Sequence, residues 1–509
     1  MTLTDPTAHQ IHSPGPSDPN PPGSPGWSGR LFIDGAWREA SDGAVMDVIA
    51  PSTARKIGEV ARATVDDMDA AVAAARRAFD SGVWSRMAGR ERARILQRAY
   101  AIMRERSEEL AQAESLDVGK PISFARAVDV NNAAELYEFY ASAGHRLDGE
   151  VREVPGNTHA YVKREPIGVV AAITPFNFPL ILSSTKIAPA LIAGNTIVHK
   201  PASDTPLSAL LMAEILQEAG VPDGVFNVVT GPGSTLGDHL VSHPDVDKVA
   251  FTGSTEIGAH AAALAGRTLK PFTAELGGNA ANILFADADL DAAIGTVIGA
   301  FVFNSGQFCM AGPRLLVERP LYETVLSILA AAVPAVPMGD PADEATVIGP
   351  LASATQLEKV AAMVERARTG GARIVTGGER ADRDGGFFYR PTVIADVAGD
   401  DEIVAEEVFG PVLTVQPFDT EEEAIALANS TPYGLASGIQ TADLSKAHRV
   451  AARLDAGITW VNGWALLDAA VPFGGVKASG WGREGGPEAM ESYQRSHSIV
   501  FNLETGTSS

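Results

Sequence analysis

Residues 168–201 read GVVAAITPFNFPLILSSTKIAPALIAGNTIVHKP, and the fold turns on how this stretch is taken. Its apolar length suggests a membrane span, which needs about 20 mostly apolar residues with few charges. Pro175, Pro179, Pro189, Asn177 and Lys186 interrupt it. The better reading is a buried strand, a proline-fixed loop, a helix and a second strand. No membrane segment is expected.

Outward from this unit the pattern repeats. The short apolar runs GVFNVVTG and KVAFTG alternate with the helical stretches TPLSALLMAEILQEAG and STEIGAHAAALA. Strands alternating with helices at this spacing predict a parallel sheet covered on both faces. Such a sheet binds ligands beyond the carboxyl ends of its strands. Those ends read Thr174-Pro175-Phe176-Asn177, Lys200-Pro201, Gly231-Pro232-Gly233 and Gly253-Ser254. A second alternating region runs from NAANILF to about residue 478 through RLLVERP, ARIVTGG, FGPVLTVQPF and GITWVNG. The expected fold is therefore α/β, with two Rossmann-like parallel-sheet lobes and a cleft between them.

Upstream, LFIDGAWREA reads as a short strand and turn, and Thr64 with Asp67 has capping-box spacing ahead of an alanine-rich helix. Ile95, Leu96, Ala99, Ile102 and Met103 share one helical face. Residues 143–164 and 495–503 alternate apolar and polar positions outside both lobes. They predict an exposed sheet that another subunit would cover.

Composition narrows the function. In 509 residues, 63 acidic side chains face 40 basic ones, for a formal charge of −23, which argues against a nucleic-acid partner. A single cysteine forms no internal disulfide, so a cytoplasmic location is expected. Residues 1–28 are rich in proline and glycine with almost no aliphatic side chains. They predict a disordered arm, without the apolar centre of a signal peptide. The ten histidines show no ligand spacing such as H-E-x-x-H, so no metal site is expected.

The one cysteine, Cys309, lies in FNSGQFCMAG, a polar loop after an apolar run. A free cysteine often packs as a small hydrophobe; it is also the strongest common nucleophile near neutral pH. Glu275 precedes two glycines in FTAELGGNAANI, Asn177 sits between aromatics and prolines, and EEVFGPV and VPFGGVKASGWGRE add further turn-rich loops.

In this order, ITPFNFPL, HKPASDTP, FTGSTEIG, ELGGN, FNSGQFCMAG, EEVFGPV and PFGGVKASG resemble the NAD(P)-dependent aldehyde dehydrogenase superfamily, over essentially residues 30–503. The resemblance implies a cofactor-binding domain over 29–142 and 165–277. It also implies a catalytic domain over 278–478 and oligomerisation strands at 143–164 and 495–503, in a homodimer or homotetramer. Cys309 takes the place of the nucleophile that adds to a small-molecule aldehyde. Asn177 and the Cys309 backbone N–H would hold the oxyanion, and Lys186 would support the site. Glu275 matches the general base that hydrolyses the thioester to a carboxylic acid. Relatives that acylate coenzyme A lack a glutamate there. That semialdehyde-dehydrogenase outcome is the enzymatic alternative, and a catalytically silent structural relative is the non-enzymatic one.

For the cofactor, Gly233, Gly253, Ser254 and Gly258 lie at or near helix starts suited to a pyrophosphate. The resemblance adds Thr174, Phe176, Lys200, Glu407 and Phe409. Ser203 stands where NAD-preferring relatives commonly carry a glutamate that grips the ribose. A hydroxyl beside Lys200 admits the 2′-phosphate of NADP as well as NAD, although Asp204 is adjacent. Phe178, Thr185, Phe308, Met310, Trp464, Leu467 and Phe473 are the expected aldehyde pocket. Being apolar and without arginine, they predict uncharged aliphatic or aromatic aldehydes over acid semialdehydes.

Overall fold

The computed structural model describes residues 27–144 and 149–503. The proline-rich arm expected over 1–28 thus lies outside the described residues up to 26, as do residues 145–148 of the predicted 143–164 segment.

The opening stretch forms the strand Val169–Ile173, the helix Pro179–Ala193 and the strand Thr196–Lys200. Pro179 opens the helix, where its missing N–H costs nothing, and Gly194 closes it in the left-handed region. Both strands belong to an eight-stranded sheet. Across it run Gly480–Trp481, Phe272–Glu275, Lys248–Thr252, Val169–Ile173, Thr196–Lys200, Phe226–Val228, Leu31–Ile33 and Ala36–Arg38. The middle five are parallel. They are almost wholly buried, as strands covered by helices on both faces must be. The edge strands are antiparallel and come from the two distant ends of the chain.

The second lobe is a seven-stranded sheet in the order Arg373–Thr376, Thr392–Ala395, Val412–Phe418, Arg314–Glu318, Ala281–Leu284, Ala436–Gln440, Ile458–Val461. All pairs are parallel except that of its first strand, Arg373–Thr376. The fold is α/β with two parallel-cored lobes. No helix among the described residues is long and apolar enough to cross a membrane.

Two small sheets complete the chain. Trp27–Gly29, Arg55–Ala61 and Val45–Ala50 form one. Glu150–Arg152, Thr158–Pro166 and Gln494–Asn502 form the other, in which the last strand pairs antiparallel with Thr158–Pro166 along nine residues. Val151, Val500 and Phe501 of this second sheet are exposed.

Locally, Thr64 and Asp67 make the capping box of the helix Val65–Ser81. The segment carrying Ile95 to Met103 divides at Arg106 into Gly89–Glu105 and Ser107–Val118. Arg106 bonds there to Glu109 and Glu214. Of the predicted face, Ile95, Leu96, Ala99 and Met103 are buried. The run 275–280, ELGGNA, carries the chain from the carboxyl end of Phe272–Glu275 to the amino end of Ala281–Leu284. It therefore crosses between the two large sheets.

Candidate active site

Cys309 reaches its position through a strained turn. After the helix Leu290–Val302, Asn304 (φ 48°), Ser305 (φ 55°) and Gly306 (φ 73°) are consecutively left-handed. Each non-glycine residue there costs about 1–2 kcal/mol, so neighbours must hold it. Ser305 Oγ donates to Gly349 O (2.8 Å), and the Ala352 N–H donates to Gln307 Oε1 (2.9 Å). Asn304 Nδ2 donates to Asn177 O (2.9 Å). In return Asn177 Nδ2 donates to Gln307 O (3.0 Å). A Cβ at Gly306 would stand 2.0 Å from Gly410 O, so only glycine fits. Asn177 is buried, and its amide nitrogen keeps a second N–H.

The Cys309 thiol is partly exposed, and its pKa is pushed up by burial and then by the charges of Glu407 and Glu275. Glu275 ends its strand and is buried. Burial, followed by the neighbouring Glu484 carboxylate, raises its carboxyl well above the usual range. Lys186, Arg483 and the Gly475 N–H oppose the rise. Neither Glu275 oxygen makes a close hydrogen bond. A buried carboxyl with no close hydrogen bond and a raised pKa is poised to take a proton.

Glu484 was not expected from the sequence. It is buried, and its two oxygens accept from Lys186 Nζ and from Thr185 Oγ1 (2.7 Å). Lys186 Nζ also donates to Thr252 Oγ1 (2.5 Å), which fixes this fully buried lysine. The only sequence signal is a glutamate set among glycines in GWGREGG.

All seven residues expected to form the aldehyde pocket border one cavity of about 420 Å³, with Cys309 on its wall. Trp464 is fixed by its indole N–H, which donates to Met310 O (2.9 Å). Gly438 makes room for its ring, since a Cβ there would lie 2.4 Å from it. Glu135, Asp468 and Glu484 also border the cavity, and among the described residues no lysine, arginine or histidine does.

Of the residues expected at the cofactor, those from Thr174 to Gly258 end or follow strands of the first sheet, and Glu407 and Phe409 precede the strand Val412–Phe418 of the second. Thr174 Oγ1 meets His199 Nε2 at 3.0 Å; burial holds that imidazole neutral, its pKa pulled down to about 3. Phe176 and Phe409 touch edge to face, ring centroids 5.8 Å apart. Lys200 is buried, its amine pulled down to about 8 by burial, and Nζ donates to Pro201 O (2.9 Å). A Cβ at Gly233 would come 3.8 Å from that nitrogen, so Lys200 lies beside the start of the helix Gly233–Ser242. That helix has no side-chain cap, which leaves its first amides for an anion. Ser203 Oγ donates to Gly231 O (2.9 Å), and Asp204 is exposed. Ser254 caps the helix Thr255–Gly266, Gly253 lies just before it, and Gly258 packs on Leu276. Glu407 accepts from the Gly278 N–H (2.9 Å), with its carboxyl raised to about 7 by burial. Free helix-start amides beside a lysine suit a dinucleotide's phosphates.

Residues 37–499 match the aldehyde dehydrogenase family. A putative aldehyde dehydrogenase from Burkholderia cenocepacia is 44% identical, with TM-score 0.92, covering 94% of this chain and 98% of its own. Indole-3-acetaldehyde dehydrogenase from P. syringae, bound to NAD+ and IAA, is 43% identical with TM-score 0.91, covering 93% and 97%. Betaine aldehyde dehydrogenase from Staphylococcus aureus, bound to NAD+, is 38% identical with TM-score 0.92, covering 94% and 95%.

Proposed function

The chain belongs to the aldehyde dehydrogenase family, oxidoreductases that act on aldehydes with a nicotinamide dinucleotide, and on that premise we propose how its own residues do the work. Cys309 Sγ adds to the aldehyde carbon. The charge that develops on oxygen is held by the free N–H of Asn177 Nδ2 and by the Cys309 backbone N–H. A nicotinamide bound there would supply the hydride acceptor, and loss of hydride would leave the carbon as a thioester on Cys309. Glu275 then takes a proton from water, hydroxide adds to the thioester carbon, and the carboxylic acid departs as the thiol is restored. Lys186, held by Glu484 and Thr252, supports the charge balance around Glu275. The observation that carries the reading is the convergence of three separate elements: the buried Glu275 carboxyl acts on the Cys309 thiol by its charge, and the Asn177 amide bonds Gln307 two residues from that thiol. Purified enzyme with an aldehyde and oxidised cofactor should form stoichiometric carboxylic acid without coenzyme A. An absolute need for coenzyme A would assign the acylating reaction instead.

The preferred substrates are uncharged aliphatic or aromatic aldehydes. Support comes from the apolar cavity wall and from Glu135 and Asp468, two exposed carboxylates at its border that repel an anionic substrate. Hexanal and benzaldehyde should outperform succinic semialdehyde in kcat/KM; the reverse order overturns this preference. NADP serves at least as well as NAD, because Ser203 adds no carboxylate next to Lys200. Negligible initial rates with NADP, set against NAD at equal concentration, would refute that. The exposed strand Gln494–Asn502, with Val500 and Phe501 uncovered, supports a homodimer or homotetramer. Light scattering on the purified chain measures it.

A further inference from the structure

Outside the site just described, the chain brings together three side chains that no local pattern joins. His239 and His243 stand four residues apart, on and just after the helix Gly233–Ser242, with ring centroids 5.8 Å apart. Asp69, in the helix Val65–Ser81, faces both rings. Its Oδ1 is 2.5 Å from His239 Nε2 and 3.4 Å from His243 Nε2. The three ligand atoms lie within 4.8 Å of one another.

We propose that Asp69, His239 and His243 form a binding site for a divalent transition-metal ion of the Zn2+ or Ni2+ class, clamping the Val65–Ser81 helix to the end of the Gly233–Ser242 helix. Two imidazoles and one carboxylate select borderline metals over Mg2+ or Ca2+, which prefer all-oxygen shells. Tetrahedral bonds of about 2.0–2.1 Å set neighbouring ligand atoms roughly 3.4 Å apart. The His243–Asp69 distance already meets this, and the His239–Asp69 contact must open by a little under 1 Å. All three side chains are partly exposed, so an ion can enter, and water completes the shell. Two features oppose binding. The Asp245 N–H donates to His243 Nδ1 (3.1 Å), so ligation through Nε2 moves the ring proton to Nδ1 and breaks that contact. The Lys270 ammonium donates to the carbonyls of Val241 and His243, adding a nearby positive charge. The Asp69 and Asp245 carboxylates offset it. The site lies at the opposite end of a helix whose start faces Lys200, so a bound ion braces the proposed pyrophosphate cradle from behind.

The test is equilibrium dialysis of the untagged full chain against Zn2+, repeated with Cys309→Ala so that ion taken by the thiol is subtracted. One ion per chain should remain in Cys309→Ala. His239→Ala and Asp69→Asn should each weaken binding by roughly tenfold or more. His260→Ala, which removes only an exposed pair with Asp238, should leave it unchanged. Zn2+ should also raise the melting temperature of the parent by a few degrees, and not that of His239→Ala. No saturable ion in Cys309→Ala, or equal affinity in His239→Ala and its parent, overturns the site.

Discussion

The eight-stranded sheet sends residues to the site from the carboxyl ends of its strands, whereas the seven-stranded sheet sends them from loops entering its amino ends. Asn177, Lys200 and Glu275 follow or end strands of the first. Cys309, Glu407 and Phe409 precede the strands Arg314–Glu318 and Val412–Phe418 of the second. The two kinds of supply differ physically. Carboxyl-end turns need little beyond a glycine, a proline or a small polar residue. The loop that brings Cys309 to the amino end of its strand bends through three left-handed residues and is held by hydrogen bonds with two other segments, at Asn177 and at Gly349 to Ala352. One lobe positions by ordinary turn geometry, and the other by over-determined strain.

The sharpest way to break this comparison is to remove the sulfur. Cys309→Ala should lower aldehyde-dependent cofactor reduction by about 10⁴-fold or more, with unchanged circular dichroism. A surviving rate would detach chemistry from the second lobe. The first lobe is tested by Glu275→Gln, for which steady-state turnover should fall about 10²–10³-fold. A burst of one reduced cofactor per site should persist, because only thioester hydrolysis is lost. Absence of that burst would place Glu275 earlier in the reaction.

The pH profile follows from the same two groups. Both the thiol and the Glu275 carboxyl have raised pKa values, and both act deprotonated. Activity should therefore climb as pH rises from neutral into the alkaline range, and a maximum below neutrality would contradict the assignment.

Gly306→Ala probes the strain itself. A left-handed alanine whose Cβ meets Gly410 O should cost about 2–3 kcal/mol of stability, read as a lower melting temperature. The smallest expected effect concerns the cofactor end. Ser203→Glu should lower kcat/KM for NADP roughly tenfold while NAD changes less, since a carboxylate there repels a phosphate.

The parallel core was legible because its strands are short, mostly apolar runs punctuated by glycine and proline. Cys309, Asn177 and Glu275 were legible as members of ordered motifs. Of the antiparallel edges only LFIDGAWREA was, as a strand and turn where the structure has the hairpin of Leu31–Ile33 and Ala36–Arg38. Gly480–Trp481 is two residues long and pairs with Glu275 from a segment some 205 positions away, so neither composition nor period marks it. The N-terminal sheet of 27–29, 45–50 and 55–61 mixes buried and exposed positions without a clean alternation. The antiparallel strand Arg373–Thr376 reads like its parallel neighbours. Glu484 escaped because its partners, Lys186 and Thr185, are some 298 residues away. The same distance problem hides Asp69 from His239 and His243. Contrary to the expectation that the histidines show no ligand spacing, HLVSH does carry an i, i+4 pair, but its third member lies 170 residues earlier.

The strand Gly480–Trp481 and the nearby Glu484 have a consequence for biogenesis. A ribosome releases the chain from its amino end, so the Phe272–Glu275 edge and the Lys186 ammonium stay without these partners until residues 480 to 484 emerge. The nascent protein thus carries an open sheet border and a lysine without its carboxylate partner while the roughly 200 residues between are made, and the reaction chamber closes only after residue 484 has emerged.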